Sequence, residues 1–286
     1  MAEQQVWLIT GASRSLGLHI AKSALKAGHK VIAGYRNKAK VGDAFAEVEA
    51  LGGSWLQLDV ASDDVEAKVQ SVIDEYGRID VLVNNAGYGL FGSIEETSVQ
   101  QIEDIFKVNF TGSVRTMKAV LPSMRTRRSG TIVNLSSSLA VSAHGGFGPY
   151  SATKFALEGI SESLQGEVAA FGIRVLVIEP GMMDTDFIDP AGTSILVPLT
   201  DLYKGTGVES SHTFLFAPGF LDTASRPAKV ADRIVEAVDG TGAFANRKLS
   251  LMIPLGRECG WGMAKRAETL NHLVKDMAEV WETCYD

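Results

Sequence analysis

The chain has 286 residues, a formal net charge of −7 and a pI near 5.3, which leaves no electrostatic footprint for nucleic acid. Hydrophobic residues make up 45% and charged residues 21%, the balance of a globular chain with a sizeable core. Two cysteines, Cys259 and Cys284, are too few for a disulfide framework and lack metal-site spacing, so no metal is expected.

The N-terminus, MAEQQVWLIT, runs directly into an apolar strand with no charged n-region, long h-region or cleavage site. No window approaches the length of an apolar membrane span. A soluble, cytoplasmic protein is expected. Strand-like runs rich in β-branched residues and leucine follow at Val6–Thr10, Lys30–Gly34, Trp55–Leu58, Val81–Val83, Thr131–Leu135 and Arg174–Ile178. Helical patterns separate them at Leu16–Ala27, Lys40–Leu51, Asp63–Tyr76, Val99–Met124 and Tyr150–Phe171. Such alternation predicts an α/β fold: a Rossmann-type doubly wound parallel sheet in three α/β/α layers, joined by right-handed crossovers. With no linker and no internal repeat, residues 1–286 read as a single domain.

The texture changes after Pro180. Residues 181–225 mix Met, Phe, Gly and Pro without a period, as expected of a mobile segment over a pocket. Residues 226–286 complete the domain with a helix at Pro227–Val238, a strand-like run at Lys248–Ile253 and a helix at Met263–Trp281. The basic cluster Arg125, Arg127 and Arg128 lies in a short connection and reads as a solvated loop.

The first strand enters Thr10-Gly11-Ala12-Ser13-Arg14-Ser15-Leu16-Gly17, and a helix follows. Glycines there let the backbone approach a pyrophosphate, and a helix N-terminus favours the anion. The turn resembles the TGxxxGxG fingerprint of the short-chain dehydrogenase/reductase family, with Ser15 in place of the middle glycine. Asp59-Val60 resembles the family's adenine-contacting pair. Asn84-Asn85-Ala86-Gly87 resembles its NNAG motif, which packs beside the cofactor and stabilises the central sheet. Pro180-Gly181-Met182-Met183-Asp184-Thr185 resembles its PGxxxT segment, which implies Thr185 near the nicotinamide carboxamide.

The nicotinamide cofactor can be chosen by charge. A carboxylate after the second strand would repel a ribose 2′-phosphate. This chain has Gly34-Tyr35-Arg36 there, and a second arginine, Arg14, inside the turn. Two guanidiniums suit a phosphomonoester, so NADP(H) is expected over NAD(H).

Tyr150 and Lys154, in GPYSATKFALEG, lie four apart and share a helix face. An ammonium beside a phenol is expected to lower the tyrosine pKa and make it a usable acid or base. The fifth strand ends in Ser136-Ser137-Ser138, which by themselves could satisfy a turn. The 13-residue offset to Tyr150 matches the family's catalytic serine and selects Ser137, leaving Ser136 and Ser138 as supporting hydroxyls. Asn109, disfavoured in mid-helix by propensity, matches the family's catalytic asparagine. The resemblance thus implies a tetrad of Asn109, Ser137, Tyr150 and Lys154. Tyr150 would exchange the proton, Ser137 polarise the substrate oxygen, Lys154 grip the nicotinamide ribose and Asn109 position a relay water.

Six motifs in order carry the resemblance over residues 5–187. YSATKFALEGISESL is similar to the branch containing the 17β-hydroxysteroid dehydrogenases. The family's habit implies a homo-oligomer, a dimer or tetramer, through the helices carrying Asn109 and Tyr150. Leu90, Phe91, Leu139, Phe147, Met182, Met183, Phe187 and either Phe214 or Phe216 are candidates for an apolar pocket with His144 at its rim. The expected activity is interconversion of a ketone and a secondary alcohol on a hydrophobic small molecule. A cofactor-binding regulator and a non-redox isomerase are the alternatives.

Overall fold

All four residues of the strand Val6–Ile9 are buried, as required of a strand covered on both faces. In the computed structural model, which describes residues 4–187 and 194–285, it is β1 of nine strands. The others are β2 (Lys30–Tyr35), β3 (Ser54–Gln57), β4 (Val81–Asn84), β5 (Leu90–Phe91), β6 (Gly130–Leu135), β7 (Ile173–Pro180), β8 (Ile195–Leu196) and β9 (Met252–Leu255). Seven form one parallel sheet in the order β3-β2-β1-β4-β6-β7-β9. The short β5 and β8 pair separately.

The pleat of β1 divides the core. Trp7 and Ile9 pack with Ile20, Ala21 and Ala24 of α1 (Ser15–Lys26) and with Val230 and Ile234 of the helix Pro227–Asp239. Val6 and Leu8 point the other way, toward Val65, Val69 and Val72 of the helix Val65–Tyr76 and Met117, Val120 and Met124 of the helix Gly112–Arg127. These are the three layers expected. The strand order reverses between β1 and β4, and a doubly wound sheet opens its crevice at the carboxyl ends of strands at that point.

Element boundaries differ from the expected ones for local reasons. The helix expected over Lys40–Leu51 is a short 3₁₀ turn, Lys38–Lys40, then α2 (Ala44–Ala50), broken where Gly42 takes φ +56°. After α3 (Val65–Tyr76), the single helix expected at Val99–Met124 is α4 (Val99–Phe106), a π-helical turn at Lys107–Thr111 and α5 (Gly112–Arg127). The short α6 (Ser138–Val141) precedes α7 (Gly148–Val168). The 181–225 segment is more ordered than expected of a pocket loop. It carries β8, a 3₁₀ turn at Asp201–Tyr203 and α8 (Gly207–Leu215), while residues 188–193 of it lie outside the described residues.

After α9 (Pro227–Asp239), β9 starts later than its hydropathy implies and contains Pro254, which an edge strand tolerates. The last helix begins at Arg257, not Met263, as α10 (Arg257–Asp276), and α11 (Ala278–Glu282) follows. Among the described residues no helix is long and apolar enough to cross a membrane.

Candidate active site

The turn after β1 is tied to the turn after β4. Thr10 Oγ1 accepts from the backbone N–H groups of Asn85 and Ala86, both at 3.0 Å. Asn85 Nδ2 donates to Thr10 O at 3.0 Å and to Gly11 O at 2.9 Å. A Cβ on Gly11, which has φ +64°, would lie 2.8 Å from Ala86 Cα, and one on Gly17 would lie 2.4 Å from Asn85 Nδ2. Both positions therefore exclude any side chain. Asn84 turns into the sheet, where Nδ2 donates to Asn134 Oδ1 at 2.8 Å and Oδ1 accepts from Thr116 Oγ1.

Ser15 opens α1 with φ +48°, a left-handed conformation that a glycine adopts freely and a serine does not. Its hydroxyl donates to Asp186, and Arg14 Nη1 reaches the same carboxylate at 3.3 Å. An acidic side chain thus sits against two side-chain donors of the turn, the Ser15 hydroxyl and the Arg14 guanidinium.

The turn is one end of a cleft of about 610 Å³ along the carboxyl ends of β1, β4, β6 and β7. Gly11, Ser13, Arg14, Ser15, Leu16, Gly17, Arg36, Asp59, Val60, Asn85, Ala86, Gly87, Tyr150, Lys154, Pro180, Met183 and Thr185 line it, all singled out in the sequence. Gly181 does not line it. That residue packs on Glu258, which accepts from Met182 N–H. Lys40 and Asn37 join Arg36 on the wall. Alternating basic residues after β2 (Arg36, Lys38, Lys40) are the signal for Lys40. Tyr88, Val108, Leu135 and Ile195 also line the cleft, and nothing in their local sequence marks them.

At the other end Tyr150 is 6% exposed, and the Ser137 hydroxyl hydrogen-bonds its phenol. Ser137 also caps α6, its Oγ accepting from Leu139 N at 3.2 Å. Lys154 Nζ donates to Leu135 O at 2.7 Å and lies 5.7 Å from the Tyr150 ring centroid. The expected lowering of the phenol pKa does not follow from this arrangement. Burial pushes Tyr150 up to about 12, opposed by the Ser137 hydrogen bond. Burial also pulls Lys154 down to about 8, opposed by the Glu158 charge. A phenol this far above neutrality is held protonated and is set to donate.

Asn109 lies in the π-helical turn, 1% exposed. Its Oδ1 accepts from Tyr88 N at 3.0 Å, while Nδ2 donates to Tyr88 O at 2.9 Å and to Thr153 Oγ1 at 3.3 Å. It therefore splices the post-β4 loop to α7 beside Lys154 without lining the cleft. Such single π turns recur at functional positions. Ser136 Oγ donates to Glu158.

The apolar candidates separate. Phe187 meets the Tyr150 ring edge-on at 5.6 Å and lines the cleft with Met183. Leu90 is fully buried core, and Phe91 packs on Phe147 at 5.1 Å. Leu139 packs against the Leu90–Tyr150 cluster. Phe214 and Phe216 are 57% and 43% exposed on and just after α8. His144 is exposed.

Fold and cleft together define a doubly wound α/β protein with an open crevice at the carboxyl ends of its strands, and comparison with known proteins gives the family. The model of the short chain dehydrogenase family matches residues 5–194, about two thirds of the chain. Retinol dehydrogenase 8 from Homo sapiens is 37% identical over 256 residues, covering 85% of this chain and 81% of that protein. Oxidoreductase claN from Passalora fulva is 47% identical over 182 residues, covering 63% and 83% respectively. A solved short-chain dehydrogenase from Streptomyces avermitilis superposes with a TM-score of 0.87 at 32% identity, covering 100% of both chains. The chain belongs to the short-chain dehydrogenase family, a family of oxidoreductases.

Proposed function

We propose that the protein is an NADP(H)-dependent oxidoreductase that interconverts a ketone and a secondary alcohol on a hydrophobic small molecule, acting as a carbonyl reductase. The observation that carries this reading is the meeting of a protonated phenol and an ammonium in one cleft, with the Ser137 hydroxyl, itself outside the cleft lining, bonded to that phenol. The opposite end of that cleft offers Arg14, Arg36 and Lys40.

The residues present fit the dinucleotide. Gly11 and Gly17 leave room for backbone approach, and the Asp186 carboxylate on Ser15 and Arg14 is a stand-in anion. Arg36 and Lys40 make no ion pair among the described residues and supply positive charge for a 2′-phosphate. When bound, the nicotinamide supplies or accepts hydride.

In the reductive direction the Ser137 and Tyr150 hydroxyls both donate to the substrate carbonyl oxygen and stabilise the charge that grows there. As the carbon becomes a secondary alcohol carbon, the Tyr150 proton passes to that oxygen and leaves a phenolate. The Lys154 ammonium stabilises the phenolate and is the source of its replacement proton. In oxidation the same proton moves in reverse, from the alcohol to the Tyr150 oxygen. Asn109, through Tyr88 and Thr153, fixes the loop and helix that hold these groups.

The apolar Phe187 and Met183 beside Tyr150 support a hydrophobic substrate. So do the likeness of YSATKFALEGISESL to the 17β-hydroxysteroid dehydrogenase branch and a relative named for retinol. NADPH oxidation followed against a panel of apolar ketones and polar sugars is the test. Turnover of apolar ketones with NADPH, and much less with NADH, is expected. Tight NADPH binding with no turnover of any panel member would overturn the reading.

A further inference from the structure

One turn along α7 from Lys154, Glu158 is 8% exposed and accepts the Ser136 hydroxyl. Glu179, on β7, is 1% exposed, and its carboxyl meets that of Glu158. Both Glu179 oxygens are buried without a hydrogen-bond partner. Two ionised carboxylates in contact within a buried site repel each other, and the contact becomes a hydrogen bond only when one proton lies between them.

The other charged and titratable groups around the pair come from α7 and α10. Lys154 faces it along α7. Arg266, Glu258 and the Cys259 thiol face it from α10, with Cys259 Sγ donating to the Glu179 backbone oxygen at 3.0 Å. Burial raises both carboxyls, Glu179 to about 7 with the Glu158 charge adding to the effect. The proposed proton transfer uses neither residue directly.

We propose that Glu158 and Glu179 hold one proton between them, and that the single negative charge left on the pair keeps Lys154 in its ammonium form. Both are positioning residues, and the inference rests on the reading of Lys154 as the group behind Tyr150. Without that charge, burial drives the ammonium further toward its neutral form. Glu179 sets the strength of the effect, because it competes with Lys154 for the Glu158 charge.

The two carboxyls therefore give opposite signatures. In the full-length enzyme with NADPH and the ketone it reduces fastest, Glu158→Gln moves the alkaline limb of kcat/KM to lower pH by about one unit. Glu179→Gln leaves Glu158 fully ionised and moves the limb to higher pH. Glu158→Asp retains the charge and restores the limb toward that of the parent protein. A structural role alone would lower kcat without moving the limb, or move both variants the same way.

Infrared difference spectra at neutral pH read the shared proton without turnover. The parent protein shows a protonated-carboxyl band that Glu179→Gln lacks, while Glu158→Gln keeps it because the buried Glu179 stays protonated. Absence of that band, or limbs that move together or not at all, overturns the proposal. A band present in an enzyme whose Tyr150→Phe variant keeps full activity would instead locate the fault in the catalytic reading.

Discussion

The Ser15 hydroxyl donates to the Asp186 carboxylate across 171 residues of chain, and Arg14 reaches the same group at 3.3 Å. An acidic side chain therefore occupies donors that the phosphate turn offers to an anion. A pyrophosphate has to displace it and then bear its charge. Asp186→Asn keeps the shape and removes the charge, so NADPH affinity measured by fluorescence titration rises about tenfold, the worth of ~1.4 kcal/mol. Weaker binding in this variant would show that Asp186 supports the bound state instead.

Ser15 also carries backbone strain, at φ +48°. Ser15→Gly relieves about 1 kcal/mol of left-handed cost. Thermal unfolding is expected to shift upward by about 2 °C, and NADPH to bind more tightly because the donor holding Asp186 is gone. An unchanged or lower Tm would mean that the Ser15–Asp186 bond outweighs the strain.

Cofactor choice follows from the exposed cations on the adenosine side. Replacing Arg36 and Lys40 with Ala removes charge that NADH has no phosphate to use. The double variant should lose NADPH affinity by about tenfold or more while NADH affinity changes little, since hydrogen bonds to charged groups are worth ~1.5–3 kcal/mol. Equal losses for both dinucleotides would place these residues elsewhere than at a 2′-phosphate.

The pH dependence of reduction takes its sign from Lys154. Tyr150, pushed up to about 12, stays protonated across the accessible range. Lys154, pulled down to about 8, is charged below that value and neutral above it. Reduction that draws a proton through the ammonium is therefore flat near neutrality and falls as pH rises through about 8. A rate that climbs through that range would contradict an ammonium requirement.

What the sequence made legible is what local geometry forces. Gly11 and Gly17 have no room for a Cβ, so the phosphate turn is written in two residues and their spacing. Tyr150 and Lys154 share a face of α7 whatever surrounds them. The Ser15–Asp186 contact was not legible, because it joins segments 171 residues apart. Nor was the π-helical turn around Asn109, where bonds to Tyr88 and Thr153 accompany a departure from regular helix that propensity alone does not foresee. The direction of the phenol pKa is hard to read from the sequence for a related reason. Spacing places an ammonium near a phenol, but only the fold shows that the ammonium donates to Leu135 O and that burial dominates.

The most direct test of the account is Tyr150→Phe in the enzyme that oxidises NADPH with an apolar ketone. The variant keeps the ring that packs on Phe187 and loses only the proton donor. NADPH binding is expected to survive within a few-fold, while kcat/KM for reduction falls by about 10²–10⁴, the usual worth of a positioned acid. Full turnover in Tyr150→Phe would contradict the account, because no proton donor at that position would then be needed.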